Sequence, residues 1–273
     1  MTSQAAGLLT GLLAAVLFGL AAVAQARAVR RGAQRPSRLT DFVAHAVRDP
    51  LTMLVVLAYL GGFVLHAVSI YLVPLYLAQV LISLSLPITA LASRRVDEEL
   101  APGDWAGVLA VTAGLVLVAL GAGEPGEVVT TWTFALPLAA GVLTLGLVGL
   151  IGSGWAGPVL GAAAGLGYAG SALAVRGVGL PFEAAVVVAA LAVPLFGLLS
   201  FWLYSLGMHA DAVTATTAPL IVGQTAVPAL LGVWLLGDQV RDGWTASVVA
   251  GLTLAVAGAV WVSRSRVATA TAS

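Results

Sequence analysis

The side chains with the most chemistry to offer lie in two stripes within otherwise apolar segments. Members of the first stripe are spaced three, four and four residues apart, on one helical face: Tyr76, Gln79, Ser83 and Pro87. The second stripe has similar spacing: Thr214, Thr217, Gln224 and Pro228. Hydroxyl and amide groups donate and accept hydrogen bonds, and a proline leaves one backbone carbonyl without its helical donor. Both stripes therefore offer groups that can bind a small solute, and we take the two prolines as candidate hinges.

The elements that must position these stripes are membrane-spanning helices. The chain is 60% hydrophobic and 9% charged, with a mean hydropathy of +1.04. A soluble domain carries about 25% charged residues. A span needs about 20 mostly apolar residues, and nine segments meet that need: 5–25, 51–72, 74–93, 105–121, 131–152, 157–177, 181–206, 211–236 and 243–263. We predict an all-α integral membrane protein with nine transmembrane helices.

Each polar side chain of the stripes also has a structural interpretation. Polar side chains in membrane helices often hydrogen-bond a neighbouring helix, which contributes about 0.6 kcal/mol on average. That interpretation is favoured for a single hydroxyl such as Ser83 or Thr217. For Gln79 and Gln224 the two interpretations are balanced, because an amide has four hydrogen-bonding positions to satisfy. We keep all four as candidate substrate-binding residues.

Two more polar residues within apolar segments are candidates for the same site. His66 can relay protons, since its unperturbed pKa lies at about 6.5. It lies near one end of the second span, where a histidine at the membrane interface is an equal alternative. Tyr168 in the sixth span can line a cavity or bond a neighbouring backbone carbonyl.

The residues that are missing narrow the chemistry. The chain has no cysteine, which excludes disulfides, thiolate metal sites and cysteine nucleophiles. No carboxylate lies in the middle of a predicted span, whereas a magnesium site uses one or two of them. His209 and Asp211 lie together near a membrane surface without a placed nucleophile. We therefore expect no cofactor, no metal site and no enzymatic activity.

The arginines define an orientation. With nine spans, ten of the twelve basic residues fall on one face, and only Arg176 and Arg241 fall on the other. The positive-inside rule makes the first face cytoplasmic. In the plasma membrane this places the N-terminus outside the cell and the C-terminus in the cytoplasm. The arginine-rich loop 26–49 contains apolar residues at helical spacing and predicts an amphipathic helix on the inner leaflet. We interpret its arginines as lipid contacts rather than as a nucleic-acid site.

An internal repeat divides the chain into two halves. The octapeptide GLVLVALG at 114–121 recurs as GLTLAVAG at 251–258, and each copy follows an acid, a loop and a tryptophan. The acids Glu99 and Asp238 come out on opposite faces, so the repeats are predicted to be antiparallel. We assign residues 1–125 to a first four-helix repeat, 126–153 to a central connecting helix and 154–273 to a second, inverted four-helix repeat.

These motifs resemble the drug/metabolite transporter superfamily, with an EamA-like pattern. The likeness rests on the segment from Pro74 to Glu99 and Leu100 with its following tryptophan. In the second half it rests on Thr216, Pro219, Pro228, the Gly237–Asp238 pair and Trp244. The nine-helix count and the approach from Asp211 to Pro219 are more similar to the branch that includes the NIPA-type magnesium transporters. The resemblance implies an inverted-repeat helical bundle that works by alternating access.

The function expected from these observations is transport of a small organic solute across the bilayer. The first alternative is a NIPA-like transporter of magnesium or another divalent cation. The second is a membrane assembly or scaffold protein that transports nothing and whose polar stripes only join helices. The identity of the solute and the direction of transport stay open, as does a homodimer.

Overall fold

The computed structural model describes residues 3–31, 38–73, 75–96, 98–124, 126, 128–264 and 268–269. The helices of the first part of the chain are α1 (Ser3–Arg31), α2 (Leu39–Arg48), α3 (Pro50–Leu72), α4 (Leu75–Ser83), α5 (Ser85–Ala92) and α6 (Pro102–Leu120). Those of the second part are α7 (Trp132–Ile151), α8 (Gly157–Arg176), α9 (Ala184–Ala210), α10 (Val213–Leu235) and α11 (Thr245–Arg264). Two short strands, β1 (Glu98–Glu99) and β2 (Ala268–Thr269), pair antiparallel.

The prediction of an all-α membrane protein is confirmed in its coarse form. Within the described residues, eight helices are long and apolar enough to cross a bilayer. They correspond to eight of the nine predicted spans, and an additional helix, α2, lies in the loop where an amphipathic helix was predicted. The predicted span 74–93 is not one continuous helix, because it is divided into α4 and α5 at Leu84.

The division between α4 and α5 follows from local hydrogen bonding. The N–H of Leu84 bonds the carbonyl of Leu81, which is one residue closer than in an α-helix. The hydroxyl of Ser83 donates to the carbonyl of Val80 at 2.7 Å. Pro87 has no N–H to donate to the carbonyl of Ser83, which would otherwise be its α-helical partner. The helix is therefore interrupted at about the middle of the segment.

Close packing joins the helices in a defined order. In the first half α1 packs extensively on α3 and also contacts α4 and α5. In the second half α8 packs extensively on both α9 and α10. Helix α7 lies against α9 and α8, so it joins the halves in sequence and packs beside the second one. Trp202 of α9 is buried against Gly149 of α7, where a larger residue would collide with its ring.

The two ends of the bundle can be told apart by their arginines. Arg30, at the last turn of α1, donates to the carbonyl oxygen of Asp211 at 2.9 Å. The carboxylate of Asp211 accepts from the N–H of Gly157, which begins α8. Arg176 ends α8, so it lies at the opposite end, about 28 Å away by helical rise. We call these the Arg30 end and the Arg176 end, and their separation matches a hydrocarbon core of about 30 Å.

Glycines bring α6 and α11 into contact as antiparallel neighbours. A methyl group at Gly114 would collide with the carbonyl oxygen of Gly251 and lie 2.6 Å from the amide nitrogen of Ala255. A methyl group at Gly251 would lie 2.6 Å from the carbonyl oxygen of Gly114. Two turns away, Gly258 faces Gly107, and a methyl group at Gly258 would lie 2.7 Å from the carbonyl oxygen of Gly107. The two backbones are therefore in direct contact, with no room for a side chain between them.

Replacement of Gly114 by alanine should destabilise the protein by about 1–3 kcal/mol, because overpacking forces the two backbones apart. The matched control is Gly146→Ala in α7, where an added methyl group meets nothing within 4 Å. That change should be neutral or stabilising, since alanine favours helix over glycine by about 0.5–1 kcal/mol. Unfolding of both variants in detergent measures the difference. Equal stability of the two would contradict the close crossing.

Candidate functional site

The two helical segments that carry the polar stripes lie next to each other. Helix α10 contacts α5 directly, and it also contacts α6 and α11. Both segments contain proline, Pro87 in α5 and Pro219 and Pro228 in α10. The carbonyl freed by Pro219 belongs to Ala215, and the hydroxyl of Ser263 on α11 approaches it at 3.4 Å. The third and eighth predicted spans, which carry the two stripes, therefore pack against each other.

Thr217 is buried at the contact of α10 with α9. Its hydroxyl donates to the carbonyl of Val213 at 2.6 Å, so the short bond between Tyr204 and Thr217 has the phenol as donor. Both side chains are nearly inaccessible. Thr217 thus presents a hydroxyl whose partner is a tyrosine that the sequence did not single out.

The other predicted site residues occupy varied positions. Ser83 is buried at the break between α4 and α5, where its hydroxyl bonds its own helix. Gln224 is half-buried near the middle of α10, about 16 Å from the start of that helix. Tyr168 is half-buried at a similar depth in α8. The Nδ1 atom of His66 is buried without a partner among the described residues. The side chains of Gln79 and Tyr76 lie outside the described part of the chain.

A buried amide that sequence reasoning missed joins both halves. Gln25 of α1 is 1% exposed, and its Nε2 donates to the Ser205 hydroxyl at 2.8 Å. Its Oε1 accepts a hydrogen bond from the Tyr59 hydroxyl at 2.8 Å. Tyr59 is on α3 and Ser205 on α9, so one side chain connects three helices. The ring of Tyr59 also makes an edge contact with Phe201, at 6.0 Å between centroids.

Three tyrosines extend this network toward the middle of the bundle. Tyr204 directly precedes Ser205 on α9 and bonds Thr217 on α10, and Tyr168 is half-buried on α8, which packs on both helices. Two of the predicted residues belong to the resulting group, which we call the tyrosine–glutamine cluster: Gln25, Tyr59, Tyr168, Tyr204, Ser205 and Thr217. It runs from the middle of the bundle toward the Arg30 end. Its amide, phenol and hydroxyl groups are uncharged and can each donate and accept.

Two buried hydroxyls beside the cluster bond nothing within the described residues. Ser200 of α9 and Thr214 of α10 are both 0% exposed, and neither hydroxyl oxygen has a hydrogen-bond partner there. An unsatisfied hydroxyl in an apolar interior is unfavourable by about 1–3 kcal/mol. Buried polar groups in proteins usually have a partner, which can be a water molecule or a ligand. Both atoms can therefore accept such a partner.

An ion pair at the Arg30 end holds the corner between α9 and α10. Arg30 pairs with Glu98, and its guanidinium donates to the carbonyl oxygens of Met208 and Asp211. Both carboxylate oxygens of Glu98 accept from the N–H of Val213, at 2.8 and 2.9 Å. Glu98 is 2% exposed, whereas its neighbour Glu99 is exposed. The buried, paired acid is therefore Glu98, whereas the repeat motif of the sequence points to its neighbour Glu99.

A second ion pair occupies the Arg176 end. Arg176 donates to Asp238 at 2.6 Å and to the carbonyl oxygen of Gly126 at 2.8 Å. The N–H of Gly126 in turn donates to the Asp238 carboxylate at 2.7 Å. Burial raises the pKa of Asp238, but the hydrogen bonds from Arg176 and Gly126 and the charge of Arg176 outweigh burial. The pKa of Asp238 consequently lies below its usual value of 3.8.

Neither a metal-binding group among the described residues nor a similar protein helps to identify this site. Within the described ranges, no three histidine, aspartate or glutamate side chains are grouped closely enough to hold a metal ion. Comparison with models of protein families, with curated proteins and with solved structures found no match to this chain. The family resemblance of the motifs stays a prediction.

The Arg176–Asp238 pair should give the protein a measurable acid sensitivity. A carboxylate with a lowered folded-state pKa stabilises the fold fully above its unfolded pKa, and the contribution is lost as the pH falls through the folded value. Asp238→Asn should therefore lose about 1–3 kcal/mol at pH 7. The difference between wild type and variant should shrink as the pH falls below about 4.

Thermal unfolding in detergent between pH 7 and pH 3 tests this dependence. Asp242→Asn is the matched control, because Asp242 belongs to the same loop and is exposed. The control should follow the wild-type curve throughout. A constant gap between wild type and Asp238→Asn across the pH range would show that the carboxylate charge does not stabilise the fold.

Proposed function

We propose that this protein transports a small organic solute across the membrane by alternating access. The observation that carries the proposal is the tyrosine–glutamine cluster, in which uncharged polar side chains from α1, α3, α8, α9 and α10 meet inside a membrane bundle. Polar groups at this depth are unfavourable unless they are satisfied, and they commonly mark substrate pathways. Sites in secondary transporters also typically involve discontinuous helices, and the segment of α4 and α5 is discontinuous, while α10 contains two prolines.

Reciprocal contacts between α6 and α11 support two inverted repeats. Gly121 and Gly258 are the last glycines of the two octapeptides. Gly121 packs against Val248, and Gly258 packs against Val111. Each valine lies three residues before the first glycine of its own octapeptide, and those two first glycines face each other. Such exchange of equivalent contacts is what a two-fold axis requires.

The remaining helices of the two halves pack in parallel ways. The first helix of each half, α1 or α8, packs on the second, α3 or α9, and on the third, α4–α5 or α10. Each first helix also ends in an arginine that pairs with an acid shortly before the fourth helix. These correspondences favour nine membrane segments, with α4–α5 as a divided third segment, over eight.

The charge distribution supports an orientation within the plasma membrane. The arginines that accompany the Arg30 end outnumber those at the Arg176 end, so we assign the Arg30 end to the cytoplasm. This places the N-terminus outside and the C-terminus inside. Helix α2 then lies at the inner leaflet, where Phe42 packs on Phe201 and Val47 is exposed toward lipid.

The chemistry of the cluster favours an organic solute over magnesium. Phenol, amide and hydroxyl groups, flanked by aromatic rings, match a solute with both apolar surface and hydrogen-bonding groups. Magnesium is bound through carboxylates and water. The acidic residues at described positions occupy loops, helix ends and α2, and Glu98 and Asp238 are engaged by arginine.

A ligand screen with matched variants tests the proposal. Purified protein is melted in detergent with magnesium and other cations, amino acids, nucleosides, sugars and lipophilic amines. A ligand at a hundred times its Kd should stabilise the fold by about 2.7 kcal/mol. Tyr204→Phe and Thr217→Val each remove a hydroxyl from the cluster and should weaken affinity for that ligand about tenfold, as expected for one hydrogen bond.

The control is Thr144→Val, which removes a hydroxyl that bonds its own helix on the exposed face of α7. It should leave ligand affinity unchanged, and uptake of the same ligand into vesicles should follow the affinities. Binding of magnesium alone would favour a divalent cation as substrate. A ligand whose affinity and uptake ignore both cluster variants would exclude the cluster as the site, and absence of any binding or uptake would favour a scaffold.

A further inference from the structure

We infer that Arg30 and Glu98 form a latch that keeps the Arg30 end of the bundle closed, and that its release opens the tyrosine–glutamine cluster to that side. The inference rests on the proposed transport function and assigns a moving contact to it. The latch joins parts of the chain that are far apart in sequence. Arg30 and Glu98 belong to the first half, and the corner between α9 and α10 belongs to the second.

The latch is complementary to both helix ends at that corner. The C-terminus of α9 carries partial negative charge on its free carbonyls, and Arg30 donates to two oxygens there, those of Met208 and Asp211. The N-terminus of α10 carries partial positive charge, and Glu98 accepts from the N–H of Val213 with both oxygens. One ion pair of the first half therefore holds two helix ends of the second.

The latch lies at the Arg30 end, between the cluster and the solvent on that side. Thr217 is one turn beyond Val213 on α10, and Gln25 lies five residues before Arg30 on α1. Tyr204 of the cluster bonds Thr217, and Glu98 of the latch bonds the N–H of Val213 one turn earlier on the same helix. Thr214, between the latch and Thr217, is fully buried. A solute can reach the cluster from this side only after the corner moves away from Arg30 and Glu98.

The burial of the pair makes the contact reversible by hydration. The Arg30 side chain is 31% exposed and Glu98 is 2% exposed, so water already reaches one partner. Separation of the pair would bring water to the carboxylate as well and recover solvation that burial withholds. Glu98→Gln keeps an oxygen that can accept from Val213 and removes the charge. That change should weaken the latch while the surrounding packing is retained.

The Arg176–Asp238 pair provides a matched control at the other end. It also joins an arginine at the end of a helix to a carboxylate, here an aspartate, but it bonds the backbone of Gly126 in a loop. Asp238→Asn removes one carboxylate, as Glu98→Gln does, and should not expose groups at the Arg30 end. The two variants thus separate a local latch from a general loss of stability.

Cysteine labelling measures the opening, because the chain contains no cysteine of its own. Thr214→Cys places a thiol below the latch at a position whose hydroxyl has no partner within the described residues. The variant is reconstituted in vesicles and exposed to a membrane-impermeant maleimide from each side. Addition of Glu98→Gln should speed labelling from the Arg30 side at least tenfold. Arg30→Gln should act in the same direction, and Asp238→Asn should leave the rate unchanged.

An unchanged rate in both Glu98→Gln and Arg30→Gln would overturn the latch, as would equal acceleration by Asp238→Asn. Arg30→Gln keeps the test decisive if Glu98→Gln fails to fold, and thermal melts of every variant identify such a failure. The labelling requires no substrate. Faster labelling in a protein that binds and transports nothing would therefore defeat the proposed function and leave the latch, and ligand binding with unchanged labelling would defeat the latch alone.

Discussion

The bilayer offers no hydrogen bonds, and this constraint decides how the chain is built. Every backbone group at membrane depth has to find a partner within the protein. Helices meet the requirement until a proline removes a donor, and then another element has to respond. Near Pro219 the hydroxyl of Ser263 on α11 lies 3.4 Å from the freed carbonyl of Ala215, although it also bonds the carbonyl of Ala259 at 2.6 Å. Three residues before Pro87 the helix is interrupted, and α4 and α5 are separate helices.

The same constraint explains why charges are confined to the ends of the bundle. Arg30 and Arg176 each sit in the last turn of a helix, and each pairs with an acid from a neighbouring connection. Arg30 also donates to a carbonyl oxygen at the end of α9, where the helix dipole places partial negative charge. The charged groups at this end of the bundle are therefore opposite in sign to the helix ends that they contact. Removal of one partner of such a buried pair is destabilising, because the other charge is left unpaired. The pairs thus fix which helix ends meet.

Hydropathy alone predicted where the spans lie, because a segment of about 20 apolar residues has the length and composition that a transmembrane helix requires. It could not predict that α1 continues to Arg31. Because the predicted first span ends at residue 25, Gln25 is expected at the membrane surface and not inside the bundle. The choice between the adjacent acids Glu98 and Glu99 was also beyond the sequence, since only packing against Val213 distinguishes them. The break at Leu84 depends on local hydrogen bonds that no periodicity records.

Thr217 and Tyr168 were identified as candidates from spacing and depth, but their grouping with Gln25, Tyr59 and Tyr204 depends on how the two halves meet. A motif search within one half cannot find it, since each half contributes only part. The glycine contact of α6 with α11 is different, because its residues are all within the repeated octapeptides or next to them. Self-similarity in sequence therefore identifies the contact of α6 with α11, which is the axis under the proposed repeat arrangement, whereas the cluster involves other helices. In an alternating-access transporter the contact on the axis should persist while contacts away from it exchange. The contact of α6 with α11 is a close approach of two backbones, whereas Arg30 contacts Glu98 and the end of α9 through a side chain that water can reach, so different parts of the bundle are suited to these two roles.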